Sequence, residues 1–228
     1  MDFFEKLSNE TESAREGLMS APIIARCLRK EITIDDYVAF LAQAYHHVKH
    51  TVPLLMAAGA RIPEEKEWLR IAIAEYIEEE IGHQEWILDD IAACGYDKES
   101  VRYMRPHSST ELMLAYAYDT INRVDPLGFF GMVHVLEGTS VNVADKIADA
   151  ARAALGLPKQ AFTYLYTHGS LDQQHVQFFE GLMNRITDEC EQELIIHSCK
   201  MFYQLYGNIF TSLSPKHGIP LLPQRALA

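Results

Sequence analysis

The stretch His168-Gly169-Ser170-Leu171-Asp172-Gln173-Gln174-His175 sets two imidazoles and a carboxylate at intervals of four and three residues. On an α-helix these intervals bring Asp172 and His175 within about 40° of the direction of His168. Two neutral nitrogen ligands and one oxygen ligand on a single stripe form a metal-binding edge. The ligand types suit iron or manganese better than a thiolate-bound metal. Leu165, Leu171, Phe178, Phe179 and Leu182 flank the stripe, so it does not read as a solvated face. A hydrogen-bonded His–Asp pair of purely structural value is the alternative.

Two other segments offer partners. In Tyr76-Ile77-Glu78-Glu79-Glu80-Ile81-Gly82-His83, a continuous helix with His83 as origin puts Ile73, Ile77, Ile87 and Ile91 at about +40° to +120°. Glu80 falls at about +60°, inside that apolar arc, and Glu79 at about −40°. A carboxylate in an apolar arc is expensive unless it is paired or metal-bound. Glu80 and His83 also have the Glu-x-x-His spacing of carboxylate-bridged metal helices. Glu80 is therefore the preferred ligand, with Glu79 as its substitute. Glu137 stands in the apolar run Phe129 to Leu136 and needs either a cation or an arginine. The resulting set is Glu80, His83, Glu137, His168, Asp172 and His175. It suits two irons with open positions for dioxygen and substrate, or one iron held by a subset. Tyr45, His46, His50, Tyr76, His134 and Tyr164 are the expected lining of a substrate pocket.

The elements that must position these groups are all helical; no strand alternation of useful length is present. Helices are expected over about Asp2 to Ser20, Pro22 to Arg29 and Ile34 to His50, with Pro53 kinking the continuation of the last. Thr33 to Asp36 resembles a capping box. A single long helix is expected from Glu64 to Cys94, stopped by Gly95. A loop runs through Pro106, and helices follow from Glu111 to Val124 and Pro126 to Leu155. The metal stripe lies on a helix from about Ala161 to Ile186, and a final helix ends near Thr211. Gly128, Gly131 and Gly138 imply close backbone approach, a kink, or room for a ligand. An all-α single domain over residues 1–212, followed by a tail over 213–228, is the expected organisation.

The chain has 228 residues, 48% of them hydrophobic, which is enough for a substantial core. The net charge of −12 argues against nucleic acid and against an anionic membrane surface as partners. No apolar run approaches the roughly 20 residues of a membrane span, and no signal peptide is visible at the N-terminus. The four cysteines form no C-x-x-C pair, so a cytoplasmic protein with reduced thiols is expected.

On the residues Glu79 or Glu80, His83, Glu137 and His168-x3-Asp172-x2-His175, the chain resembles the haem-oxygenase-like fold, and within it the CADD-like, TenA-related diiron oxidases. The resemblance covers residues 1–212. It implies a haem-oxygenase-like helical bundle and an O2-activating, non-haem iron oxidoreductase. A small organic substrate, two iron ions and a homodimer are implied with it. In CADD-like members a Glu lies seven residues before the histidine, where this chain has Tyr76. TenA-type thiaminases use a cysteine nucleophile, and no cysteine stands in the metal-bearing helices at the matching region. Haem oxygenases need an axial histidine near the N-terminus, and here no histidine precedes His46. A TenA-like hydrolytic enzyme of pyrimidine or thiamin metabolism and a ligand-binding regulatory protein are the alternatives.

Overall fold

The computed structural model describes residues 1–213, apart from the side chains of residue 142 and of residues 170–174. Eleven α-helices form the described part, and no β-strand occurs among the described residues. They are α1 (Phe3–Met19), α2 (Pro22–Leu28), α3 (Ile34–Val48), α4 (Thr51–Gly59), α5 (Glu67–Glu80), α6 (His83–Ala93), α7 (Lys98–Tyr103), α8 (Ser108–Asp119), α9 (Phe129–Leu155), α10 (Thr163–Met183) and α11 (Glu189–Ser212). Beyond Leu213, the expected tail lies outside the described residues.

Local chemistry sets most of the helix ends. The Asp2 and Asp188 side chains accept backbone N–H bonds in the first turns of α1 and α11. Thr33 and Asp36 form a reciprocal capping box on α3, with Asp in the position more often held by Glu. Pro53 does not kink a helix. The chain turns at Lys49 and His50, and Pro53 falls in the first turn of α4, where its missing N–H is not needed. The loop expected before Pro106 contains the short helix α7, capped by Asp97.

The largest correction concerns the helix expected from Glu64 to Cys94. It is two helices, α5 and α6, separated at Ile81 and Gly82. Gly82 adopts φ 95°, a left-handed conformation that glycine reaches without steric cost. A glycine inside a helix already carries a penalty, so a sharp turn competes well at this point.

Two large apolar cores result, with a smaller cluster of Ala21, Ile23, Ile24 and Leu213 beside them. One gathers Leu7, Leu54, Leu69, Ile73, Phe130, Phe179 and Phe202, from α1, α4, α5, the first half of α9, the end of α10 and α11. The other gathers Leu41, Ile87, Ile91, Ala148 and Phe162, from α3, α6, the second half of α9 and the start of α10. Helices α9 and α10 run through both. Close approach of α9 to α11 depends on Gly131, where a Cβ would stand 2.6 Å from the Cys199 backbone nitrogen. Gly128 is similarly tight against Thr120, whereas Gly138 has open space around its Cα.

Gly131→Ala is expected to cost about 1–3 kcal/mol, because the Cβ meets backbone and not a side chain that can swing away. Gly181→Ala meets nothing within 4 Å and should gain up to about 1 kcal/mol from helix propensity. Urea midpoints of the two variants test this; equal midpoints would contradict the packing described.

Candidate metal centre

The break at Gly82 builds the centre. Glu80 is the last residue of α5 and His83 the first of α6. The pair therefore spans a turn and does not share one continuous helical face. The turn still brings the two side chains together: His83 Nδ1 lies 3.1 Å from Glu80 Oε2, and the side chains are 5% and 10% exposed. The approach is nevertheless not a hydrogen bond, since His83 Nδ1 is buried without a hydrogen-bond partner. An oxygen and a nitrogen this close, outside hydrogen-bond geometry, are arranged as two ligands of one cation would be.

His168 supplies the third donor. Ligand atoms of Glu80, His83 and His168 all lie within 4.8 Å of one another. Aromatic packing fixes the rings. His83 stacks on Trp86 at 4.0 Å, and His168 stands edge-on to His83 at 5.1 Å and to Tyr164 at 4.9 Å.

The helix carrying His168 is placed by Asp90. This fully buried carboxylate on α6 accepts from the backbone nitrogens of Thr163 at 3.0 Å and Tyr164 at 2.9 Å, at the start of α10. It satisfies two of the donors that every helix N-terminus leaves open. Burial pushes the Asp90 carboxyl up to about 6, with the two amide bonds acting in the opposite direction. One side chain thus ties the element bearing His83 to the element bearing His168. Sequence reading did not single out Asp90. Its signal was its register with Ile87 and Ile91 on the apolar face of α6.

Seven residues beyond His168, His175 joins a second group of carboxylates. Its Nε2 is 2.7 Å from Glu79 Oε2, and its Nδ1 is 3.7 Å from Glu137 Oε1. The Glu137 side chain is 12% exposed and that of Glu79 56%. Glu80 is thus the inner carboxylate beside His83, and Glu79 reaches His175 from the rim. The side chain of Asp172 lies outside the described residues.

Glu80, Glu137 and His168 open onto one cavity of about 160 Å³. Its remaining wall is largely aliphatic and aromatic, including Ile23, Ile24, Leu136, Val143 and Ile147. Of the expected pocket residues, Tyr76 and Tyr164 line this cavity. Tyr45, His46 and His50 do not. They sit at the end of α3, where Lys49 covers the Tyr45 ring, His46 Nδ1 meets Lys49 Nζ at 3.1 Å, and His50 Nδ1 pairs with the Tyr118 hydroxyl at 3.0 Å. His134 borders a different, more polar cavity on the α1 side of Glu137. The lining histidine that sequence reading left out of the pocket is His47.

The buried thiols are unsuited to nucleophilic chemistry. Burial pushes Cys27 up to about 11, and Cys94 and Cys199 up to about 12. No described helix is long and apolar enough to cross a membrane.

Residues 38–207 match a family model described as iron-containing redox enzyme. No curated protein matches the chain in sequence. The fold is similar to a domain of unknown function with a haem-oxygenase-like fold from Shewanella denitrificans, with TM-score 0.82 and 21% identity over 93% of this chain and 92% of that one. A TenA homologue from Pseudomonas syringae superposes with TM-score 0.74 and 11% identity, covering 92% and 91%. A cyanobacterial haem oxygenase from Synechocystis, in complex with haem, gives 0.73 and 10%, covering 95% and 94%. At these identities the likeness establishes the haem-oxygenase-like fold.

Asp90→Ala should strand two buried N–H groups and cost about 2–4 kcal/mol, with Asp90→Asn less damaging because its amide oxygen still accepts. Chemical denaturation of both variants checks the order. A second expectation concerns acid. Burial lowers His47 to about 3, and His46 and His134 to about 4. Unfolded histidines titrate near about 6.5, so the stability these groups contribute is complete above that value. It falls as pH drops through about 4, because the unfolded chain takes up the protons first. A urea midpoint of the metal-free protein that is unchanged from pH 7.5 to about 4.5 would contradict these burials.

Proposed function

The chain belongs to the family of iron-containing redox enzymes, and from that premise we propose that it is a non-haem, iron-dependent oxidoreductase that uses dioxygen on a small organic substrate. The observation that carries the reading is the convergence of Glu80, His83 and His168, with Glu80 and His168 lining a largely apolar cavity. Hard carboxylate oxygen and borderline imidazole nitrogen together suit iron, and no thiolate is involved.

Glu80, His83 and His168 would hold one ion. His175, with Glu137 and Glu79 against its two nitrogens, and Asp172 would serve a second. Iron bound there would supply the electrons that dioxygen needs to react with a closed-shell organic molecule.

The protein's own contributions are binding and exclusion. Aliphatic walls take an apolar substrate body and keep bulk water from the centre. The Trp86 stack and the Tyr164 edge hold the His83 and His168 rings in place before anything binds. Glu79 orients His175 from the solvent side, as a carboxylate does for a metal-binding imidazole.

Anaerobic titration with ferrous ion tests the reading. Wild-type protein should take up at least one iron per chain. Glu80→Ala and His168→Ala should each weaken uptake by more than the roughly 10–100-fold expected for an outer partner such as Glu79. The exposed Glu75→Ala should leave uptake unchanged. Wild-type protein that retains no iron, or a Glu80→Ala variant that binds it normally, would overturn the assignment.

A further inference from the structure

Glu137 lines two cavities, the apolar one beside the metal centre and a second of about 210 Å³ between α9 and α1. Helix α9 presents a different side to each. With Glu137 as origin, Val133, Leu136, Val143 and Ile147 of the apolar cavity lie at about −40° to −120°. His134, Gly138 and Val141 of the second cavity lie at about +40° to +100°. Glu137 therefore stands on the boundary, with one cavity to each side of it.

The outer wall of the second cavity is at the protein surface. It includes the half-buried Ser8 and the exposed Asn9 and Glu12 of α1. Arg15 follows on the same helix, its Nη2 3.6 Å from Glu12 Oε1. A Cβ built on Gly138 meets nothing within 4 Å, so the glycine leaves the α9 side of the cavity open.

An ion bound beside Glu80 and His83 must pass from water to side chains that are almost wholly covered. A divalent cation gives up its waters only where other ligands replace them. The largely aliphatic and aromatic walls of the first cavity offer few. The second is walled by Ser8, Asn9, Glu12 and Glu137, all of which bear side-chain oxygens. Burial lowers His134 to about 4 and keeps it neutral, so Arg15 is the one cationic side chain among the lining residues. At the inner end, Glu137 Oε1 is 3.7 Å from His175 Nδ1.

We propose that the α1-side cavity is the route by which ferrous ion reaches the metal centre. Glu12 draws the ion to the entrance, Arg15 opposes it, and Glu137 receives it beside His175. The path of the ion is then separate from the apolar cavity that takes the organic substrate. This assignment rests on the iron reading above.

Rapid anaerobic mixing of the full-length protein with ferrous ion, stopped at set times with a colorimetric chelator, gives the rate of uptake; equilibrium titration gives the affinity. Gly138→Leu and Ser8→Leu fill the cavity from the α9 and α1 sides. Each should slow uptake by about tenfold and hold affinity within about twofold, because a route alters entry and exit alike. Glu12→Gln should slow uptake and Arg15→Gln should speed it, each by about two- to fivefold at low ionic strength. These two lie at the surface and test the route without filling it. Val143→Phe, which fills the apolar cavity, should leave the rate unchanged. Wild-type rates in both Gly138→Leu and Ser8→Leu, rates that fall only in step with affinity, or a Val143→Phe variant slower than either would refute the route. In those cases normal equilibrium affinity leaves the iron reading standing. Wild-type protein that takes up no ferrous ion would refute both.

Discussion

The cost of taking carboxylates out of water governs this molecule. Glu80 and Glu137 both sit with most of their surface covered, beside imidazoles and against apolar walls. An ionised carboxylate in such a place requires a cation or a set of donors. The ionic neighbours of Glu80 and Glu137 described here are the imidazoles of His83 and His175. A divalent ion satisfies carboxylate oxygen and imidazole nitrogen together. The Glu80–His83 approach, close but not hydrogen-bonded, expresses this directly.

The architecture places that expense where it does least harm. Along the chain, the site residues fall where the packing passes from one apolar core to the other, within α9 and α10 and at the break between α5 and α6. Tyr76 belongs to one core and Ile87 to the other, with Glu80 and His83 between them. Val135 and Ala144 bracket Glu137 in the same way, and Leu165 and Phe179 bracket His168 and His175. The polar groups therefore interrupt neither core. They fill the seam between two units that are each packed with aliphatic and aromatic side chains. Asp90 crosses the seam's edge, fixing the start of α10 to α6 by hydrogen bonds to backbone.

Much of this was legible in the residues. Helical periodicity gave the all-α class and most helix ends, because caps such as Thr33–Asp36 and Asp188 are local chemistry. Glu80 was set apart from Glu79 because an apolar arc penalises a charge, and of the two side chains Glu80 is the more buried, at 10% exposed against 56%. The continuous helix that placed Glu80 in that arc does not exist. Gly82 breaks it, and what periodicity could not supply is how the chain resumes after a left-handed residue. His47 and Asp90 escaped for a related reason. A buried polar residue and a ligand-facing one look alike on a helical wheel until the neighbouring helices are in place. Tyr45, His46 and His50 illustrate the converse, since a histidine-rich turn found its partners in Lys49 and Tyr118 instead of a cavity.

The turn at Gly82 has one more consequence for how the centre works. Had α5 and α6 been one helix, Glu80 and His83 would have been fixed to a common rod, and their separation would have been set by helical pitch alone. Broken there, the two residues ride on separate helices, each anchored in a different core: α5 through Leu69 and Ile73, α6 through Ile87 and Ile91. Their relative position is then decided by how the two cores meet. An ion held by Glu80, His83 and His168 would bind three elements across that meeting line. Its affinity would be coupled to the packing of the whole bundle, because a site absent from the unfolded chain draws its binding energy into the folded one.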